Sequence, residues 1–179
     1  MKKLQAVLVA TAFAMAGCST GTPSSPDAAV TTDSASTPTP TPTVLTTEEA
    51  GKAYLAAVCP SNIQANKTSD VVQAEPFDLA ASKTETAKLR DTYRSTIEKL
   101  TNEKTLWPEA VKADIAALTE VMYDDLSGTE NVAKQTTQPD FTSAWNSWTS
   151  SMTDRPGTAQ KIRLKLGLPA DTAASCAAS

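Results

Sequence analysis

The chain has 179 residues, with 16 lysines and arginines, 20 aspartates and glutamates and no histidine, which gives a formal net charge of −4. The absence of histidine excludes Ser-His-Asp and Cys-His nucleophile systems, histidine metal sites and a histidine pH switch. The acidic balance argues against a nucleic-acid partner, because binding to a phosphate backbone requires a basic surface.

The N-terminal segment has the pattern of a secretion signal. Lys2 and Lys3 precede an uncharged apolar stretch that ends at Gly17, and a basic head before a short apolar run is typical of a signal peptide. The run is too short for a membrane-spanning helix, which needs about 20 apolar residues. We therefore expect residues 1–17 to form a signal peptide.

The end of this run reads Met15-Ala16-Gly17-Cys18. It resembles the lipobox of bacterial lipoproteins, with Met15 in place of the commoner leucine. The resemblance implies that the Cys18 thiol receives a diacylglyceryl group as a thioether and that cleavage makes Cys18 the new N-terminus. Two or three acyl chains give firm membrane attachment, because each buried methylene contributes about 0.8 kcal/mol. The alternative is an ordinary signal peptide that is cut elsewhere, for example after Ala16.

Residues 18–45 are predicted to form a disordered tether after the lipidated cysteine. They are mostly serine, threonine, proline, alanine and glycine, and they lack the apolar periodicity that could offset the entropic cost of ordering. The alternating run from Thr37 to Thr43 favours extended polyproline II. This composition is similar to that of small envelope lipoproteins of actinobacteria or their phages. The resemblance implies an extracytoplasmic protein that is lipid-anchored to the outer face of the cytoplasmic membrane.

The remaining cysteines, Cys59 and Cys176, are far apart in the sequence. An exported domain occupies an oxidising compartment, so one intramolecular disulfide is the expected state of this pair. A closed loop of roughly 100 residues contributes about 4–5 kcal/mol in the chain-entropy treatment. A redox-active pair is the alternative, but such pairs usually follow the close spacing C-x-x-C.

Residues 46–179 are predicted to form one all-α domain, a small bundle of four or five helices. The first helix begins at Thr46, which forms a capping box with Glu49. Pro60 is expected to end this helix before a polar loop over residues 61–70.

The second helix is expected from about Phe77 to Leu100 and the third from about Trp107 to Gly128, with weaker helical character over residues 129–138. Apolar positions of the second helix recur at helical spacing. Its opposite face is expected to be solvated and carries Lys83, Glu85, Lys88, Arg90, Asp91 and Glu98.

The fourth helix is expected after Pro139, and the last over about Arg155 to Leu166. Residues 162–168 also alternate like a strand, but Gly167 and Pro169 fit a helix C-terminus better.

Two groups of side chains are candidates for a ligand surface. Asp124 and Asp125 form the densest acidic group, which suits a cation site or paired carboxylates, or is only the exposed end of a helix. Trp145 and Trp148, with Phe141, could stack on cell-wall glycans, but their spacing also fits a helix core.

A basic group near the C-terminus has a structural and a functional interpretation. Its residues suit the C-terminal end of a helix, where cations complement the helix dipole. Contact with anionic lipid headgroups is the alternative, since the tether holds the domain near a membrane. The group comprises Arg155, Lys161, Arg163 and Lys165.

The sequence offers no catalytic constellation, no metal-ligand pattern and no cofactor motif. It therefore predicts a non-enzymatic surface lipoprotein whose helical domain binds an envelope or phage-related partner, for example in superinfection exclusion. The alternatives are a cell-wall glycan-binding or hydrolase accessory protein and a structural component of envelope assembly.

Overall fold

The computed structural model describes residues 43–152 and 157–177. Six helices follow one another in this part of the chain, which contains no strand, so the all-α prediction is confirmed. The sequence did not predict the last, short helix. The helices are α1 (Thr47–Val72), α2 (Leu79–Leu100), α3 (Glu109–Lys134), α4 (Gln138–Ser150), α5 (Thr158–Lys165) and α6 (Thr172–Ala177).

The predicted signal peptide over residues 1–17, Cys18 and the predicted tether up to residue 42 lie outside the described residues, as does Arg155. Residues 43–45, at the end of the predicted tether, are described. Leu45 packs against the core, and its backbone N–H donates to the carbonyl of Leu106 at 2.9 Å. No helix in the described ranges combines the length and apolar character needed to cross a membrane.

The helices pack as neighbours around one core. α1 packs against α2, α2 against α3, α3 against both α4 and α5, and α1 against α6. Tyr54 links α1 to α5, because its fully buried hydroxyl donates to the carbonyl of Ala159 at 3.3 Å. Burial raises the pKa of this hydroxyl, an effect that nearby Arg163 partly opposes. The other large fully buried apolar side chains are Phe141, Leu89, Ile162, Val111 and Val132.

The capping box at the start of α1 is confirmed. The backbone N–H of Glu49 donates to Thr46 Oγ1 at 3.3 Å, and the backbone N–H of Thr46 donates to Glu49 Oε2 at 2.9 Å. These bonds satisfy donors that a helix N-terminus leaves without a partner.

The predicted end of α1 at Pro60 is wrong, because the helix continues to Val72. An internal proline removes one backbone donor and leaves the carbonyl four residues earlier without its helical partner. Here that carbonyl, on Ala56, accepts from Lys99 Nζ of α2 at 3.0 Å. The next carbonyl, on Ala57, accepts from the Thr96 hydroxyl at 2.9 Å. Side chains of α2 thus supply donors at the interruption.

The buried face of the second half of α1 includes polar residues. Ser61 and Thr68 are both fully buried. The Ser61 hydroxyl donates to Val58 O at 2.9 Å, and the Thr68 hydroxyl lies 2.8 Å from Gln64 O and 3.2 Å from Glu85 O. Small hydroxyl residues can therefore face the core here, because backbone carbonyls accept from them.

The third helix likewise continues past the predicted stop at Gly128 and ends at Lys134. The stretch over residues 129–138, predicted as weakly helical, is mostly part of α3, and its Val132 is fully buried. The absence of a side chain at position 128 does not end α3 but allows it to pack closely against Trp148 of α4.

Candidate functional site

The candidate aromatic residues of α4 lie in a row that reaches neighbouring helices. Trp145 and Trp148 are each only 8% exposed. The ring centroids of Phe141 and Trp145 are 6.4 Å apart with nearly parallel planes, and those of Trp145 and Trp148 are 5.2 Å apart at an angle of 77°. Trp148 also meets Tyr93 of α2 edge-on at 6.4 Å. These rings pack against one another, so their faces are not free to stack on a sugar.

The two candidate carboxylates have different surroundings. Asp125 is 5% exposed and accepts from the indole Nε1 of Trp148 at 3.1 Å, whereas Asp124 is exposed. A depression of about 570 Å³ does lie beside Asp124 and Trp148. Asp125 therefore accepts from an indole, whereas Asp124 faces solvent. The two carboxylates do not form a pair that faces one common site.

Gly128 explains how Trp148 comes so close to α3. A Cβ at position 128 would overlap Trp148 Cδ1 and would lie 2.7 Å from Trp148 Nε1. Only a residue without a side chain lets the indole rest on the helix backbone and reach Asp125.

Three members of the basic group near the C-terminus, Lys161, Arg163 and Lys165, make internal contacts. Lys161 Nζ and Lys165 Nζ each lie 2.7 Å from a different oxygen of Asp114 on α3. These lysines lower the pKa of the Asp114 carboxyl, with the Lys161 contact as the larger cause. Arg163 is 7% exposed and donates through Nε to the carbonyl of Ala170 at 2.9 Å. These cations stabilise the packing of α5 and the segment after it.

The two cysteines of the helical domain lie at disulfide bonding distance. The sulfurs of Cys59 and Cys176 are 2.10 Å apart, and this contact joins α6 to the middle of α1 one residue before Pro60. The pairing is the one that the sequence led us to expect. No group of three or more histidine, cysteine, aspartate or glutamate side chains in the described ranges is placed to hold a metal ion.

A further surface, which the sequence did not predict, lies along α1. We call it the α1 groove, a depression of about 600 Å³ whose lining is mostly apolar. One of its lining residues, Ile63, is 61% exposed. The residues that line it are Lys52, Leu55, Ala56, Cys59, Pro60, Ile63, Gln64 and Thr92.

Ile63 also lines a second depression, on the α6 side of α1. This α6 groove has a volume of about 640 Å³ and a more polar lining that includes Asn62, Asn66 and Asp171. Ile63 is therefore an apolar ridge with a depression on each side. The sequence interpretation missed this surface because it placed Ile63 in a loop after Pro60. The sequence signal that could have identified this surface is the helical spacing of residues in α1, which continues past Pro60.

Glu85 of α2 contacts Gln64, which lines the α1 groove, and is 8% exposed, although the sequence placed it on a solvated face. Its carboxylate accepts from Lys88 at 2.7 Å and from Gln64 at 2.8 Å, and Lys67 Nζ lies 3.3 Å away. The Lys88 contact is the largest cause of a pKa lowered to about 2, followed by Gln64, while burial acts in the opposite direction. The solvated-face prediction is therefore wrong for Glu85, because three neighbouring polar side chains stabilise its charge.

Gly128→Ala is expected to destabilise the protein. In a helix interior the change to alanine is favourable by about 1 kcal/mol, but overlap with Trp148 forces a shift that costs about 1–3 kcal/mol or more. The free energy of unfolding from urea titration is the measurement. Gly51→Ala is the matched control, because Gly51 also lies inside a helix and a Cβ there meets its nearest neighbour at 3.5 Å. A Gly128→Ala protein as stable as the wild type would refute this packing.

Stability is expected to depend on pH through Glu85. Its folded pKa of about 2 lies below the ordinary value of 4.5, so its stabilising effect is complete above pH 4.5 and is lost as pH falls towards 2. Glu85→Gln should therefore lower the urea midpoint at pH 6 and show a smaller decrease between pH 6 and pH 3 than the wild type. Glu103→Gln, at an exposed loop carboxylate, is the control. Equal pH dependence in wild type and Glu85→Gln would contradict the assignment.

Comparison with protein families, with curated proteins and with solved structures finds no match to this chain. Function is therefore inferred from the contacts of its own residues.

Proposed function

We propose that the chain is a lipid-anchored, non-enzymatic surface protein whose helical domain binds an envelope or phage-related partner. The anchor is Cys18, on the strength of the lipobox-like sequence around it. The observation that carries the binding role is the exposed Ile63 ridge with its two flanking grooves.

The surface around Ile63 has the composition of a small binding interface. The α1 groove has a mostly apolar lining, in which Ala56, Pro60 and Ile63 are exposed. Polar side chains also line the two grooves, among them Lys52 and Asn62. An apolar centre inside a polar rim is the usual arrangement at protein interfaces, where a few central residues contribute most of the affinity.

The tether supports a binding role near the membrane. Its composition favours an extended chain, which holds the folded part on the order of tens of ångströms from the bilayer at about 3.1 Å per residue. A domain on such a tether can reach partners in the same membrane or in the adjacent cell wall. Superinfection exclusion is one concrete form of this role, and assembly of an envelope complex would use the same surface.

The glycan-binding alternative has less support. It requires exposed aromatic faces, but Trp145 and Trp148 are buried and Asp125 is bonded to an indole. The other candidate acid, Asp124, is exposed and lines a depression. The described lining residues of this depression include no second carboxylate.

Cys18→Ser is expected to move the full-length protein out of the detergent phase in Triton X-114 partitioning of native cells, or to leave it unprocessed on a gel. The reason is that serine cannot form the thioether to the acyl-glyceryl unit. Ser25→Ala is the control, because it changes one residue of the same N-terminal segment and leaves the lipobox-like sequence and the Cys59–Cys176 pair intact. A Cys18→Ser protein that is processed and partitions like the wild type would overturn the anchor.

The binding role is tested by chemical crosslinking of the full-length protein in native cells, followed by identification of the adducts. Ile63→Asp is expected to abolish a protein adduct that the wild type forms. Leu164→Asp is the control, because Leu164 is also 61% exposed but lies on α5. The role of this surface would be contradicted if the wild type formed no protein adduct. It would also be contradicted if the Ile63→Asp and Leu164→Asp proteins formed the adduct in equal yield.

A further inference from the structure

We propose that residues 171–177, which contain α6, form a redox-sensitive strap. When a dithiol reductant cleaves the Cys59–Cys176 bond, this strap leaves the surface of α1 and the α6 groove beside Ile63 is lost, while the rest of the bundle stays folded. The inference concerns the conformation of this chain alone and does not depend on the identity of a partner. It follows from the attachment of α6, the position of the bond and the residues that line the α6 groove.

α6 depends on its attachment to the bundle for its stability. It has only six residues, and an isolated helix of this length is not stable in water. Its alanines at positions 173, 174 and 177 are exposed, and Ser175 is its only buried residue. Of its apolar side chains, Cys176 is the one that packs against the core. α6 therefore buries little of the apolar surface that normally holds a helix in place.

Hydrogen bonds shape the segment around α6 from within. The Ser175 hydroxyl donates to the carbonyl of Pro169 at 2.6 Å, and Asp171 Oδ1 accepts from the backbone N–H of Ala174 at 2.8 Å. Both bonds join residues of the same short segment and do not fix it to α1.

The attachment of α6 to α1 runs through Cys176. Its sulfur is bonded to that of Cys59, and Asn62 Nδ2 lies 4.0 Å from Cys176 Sγ. Both residues on the other side of these contacts belong to α1. Because α6 has little buried surface of its own, we expect it to separate from α1 when the covalent bond is cleaved.

The segment before α6 is held without the disulfide. Leu168 packs against the core, and its backbone N–H donates to the carbonyl of Arg163 at 2.9 Å. Arg163 Nε in turn donates to the carbonyl of Ala170 at 2.9 Å. These contacts do not involve the sulfurs, so we expect the chain to stay in place up to Ala170 and to open only beyond it.

The bond is accessible from the side of Cys176. Cys176 is half-buried and lines the α6 groove, whereas Cys59 is only 4% exposed. Reduction begins when a thiolate attacks one of the two sulfurs, and its rate depends on access to that sulfur. The α6 groove, with a volume of about 640 Å³, provides this access. Attack at Cys176 is therefore favoured over attack at Cys59.

Reduction consists of two successive exchanges with the dithiol. A thiolate of the reductant bonds to Cys176 Sγ, the bond between the two cysteines breaks, and Cys59 leaves as a thiolate that takes up a proton. The second thiol of the reductant then loses its proton and displaces Cys176 Sγ, which is protonated in turn. The two cysteines have gained two electrons and two protons, and the reductant has lost both and is left as a disulfide.

Release of the strap removes one wall of the α6 groove. Five of the nine residues that line this groove belong to the strap, namely Asp171, Thr172, Ala173, Cys176 and Ala177. The residues that line the α1 groove belong to α1 and α2 instead. Reduction should therefore remove the depression on one side of Ile63 and leave the depression on its other side.

The test is hydrogen exchange of the full-length protein in detergent, before and after reduction with dithiothreitol, a small dithiol. Exchange of the backbone amides over residues 174–177 should become at least about tenfold faster on reduction, because opening removes their hydrogen bonds. Residues 158–168 precede the expected opening point and are the internal control. Their exchange rates should change by less than about twofold, because their contacts do not involve the disulfide.

The double variant Cys59→Ser with Cys176→Ser is the control for the reductant. Its residues 174–177 should exchange like those of the reduced wild type, with or without dithiothreitol, because it has no bond to cleave. Urea titration followed by far-UV circular dichroism should still show a cooperative transition for the reduced wild type and for the double variant, since the other helices remain folded.

The proposal is overturned if residues 174–177 exchange at the same rate in the oxidised and the reduced protein, because α6 then stays packed without the bond. It is equally overturned if reduction abolishes the cooperative urea transition, because the bond then holds the whole domain together. An effect of dithiothreitol of equal size on the double variant, or two free thiols at positions 59 and 176 in the denatured, unreduced protein, would contradict the role of this bond.

Discussion

The groove-forming half of the protein depends on the continuation of α1 through Pro60. A proline inside a helix costs about 3 kcal/mol or more when its consequences are not compensated. Lys99 and Thr96 of α2 donate to the carbonyls of Ala56 and Ala57 at this point. The helix therefore extends to Val72, which places Ile63 on the outer surface. Without this support from α2, the two grooves beside Ile63 would not have the observed geometry.

The packing of α4 against α3 is organised around an absent side chain. Gly128 lets the Trp148 indole lie on the backbone of α3, where Asp125 accepts from its N–H. Trp148 and Asp125 were candidates for a ligand surface, but they form a packed and hydrogen-bonded pair instead. Burial of a carboxylate is tolerated here because the indole donates to it. The functional interest consequently moves from α3 and α4 to α1.

Two buried carboxylates link neighbouring helices. Asp114 and Glu85 are each 8% exposed, and each accepts contacts from two lysines. The contacts of Asp114 secure α5 against α3. The contacts of Glu85 with Gln64 and Lys67 join α2 to the second half of α1.

The sequence by itself determined the features that depend on local pattern. The capping box of Thr46 and Glu49, the apolar spacing of α2 and α4 and the even pair Cys59 and Cys176 each follow from residue type and spacing, and together they predict an all-α bundle with one disulfide. Only the tertiary structure decided the outcome at Pro60, Gly128 and Glu85. Lys99 of α2 donates to a carbonyl beside Pro60, and Trp148 of α4 lies against Gly128. Glu85 is buried beside Gln64 and Lys67 of α1. Each of these outcomes depends on a side chain from another helix. A local pattern records what a residue prefers alone, and it contains no information on the donors or rings that another helix brings to it.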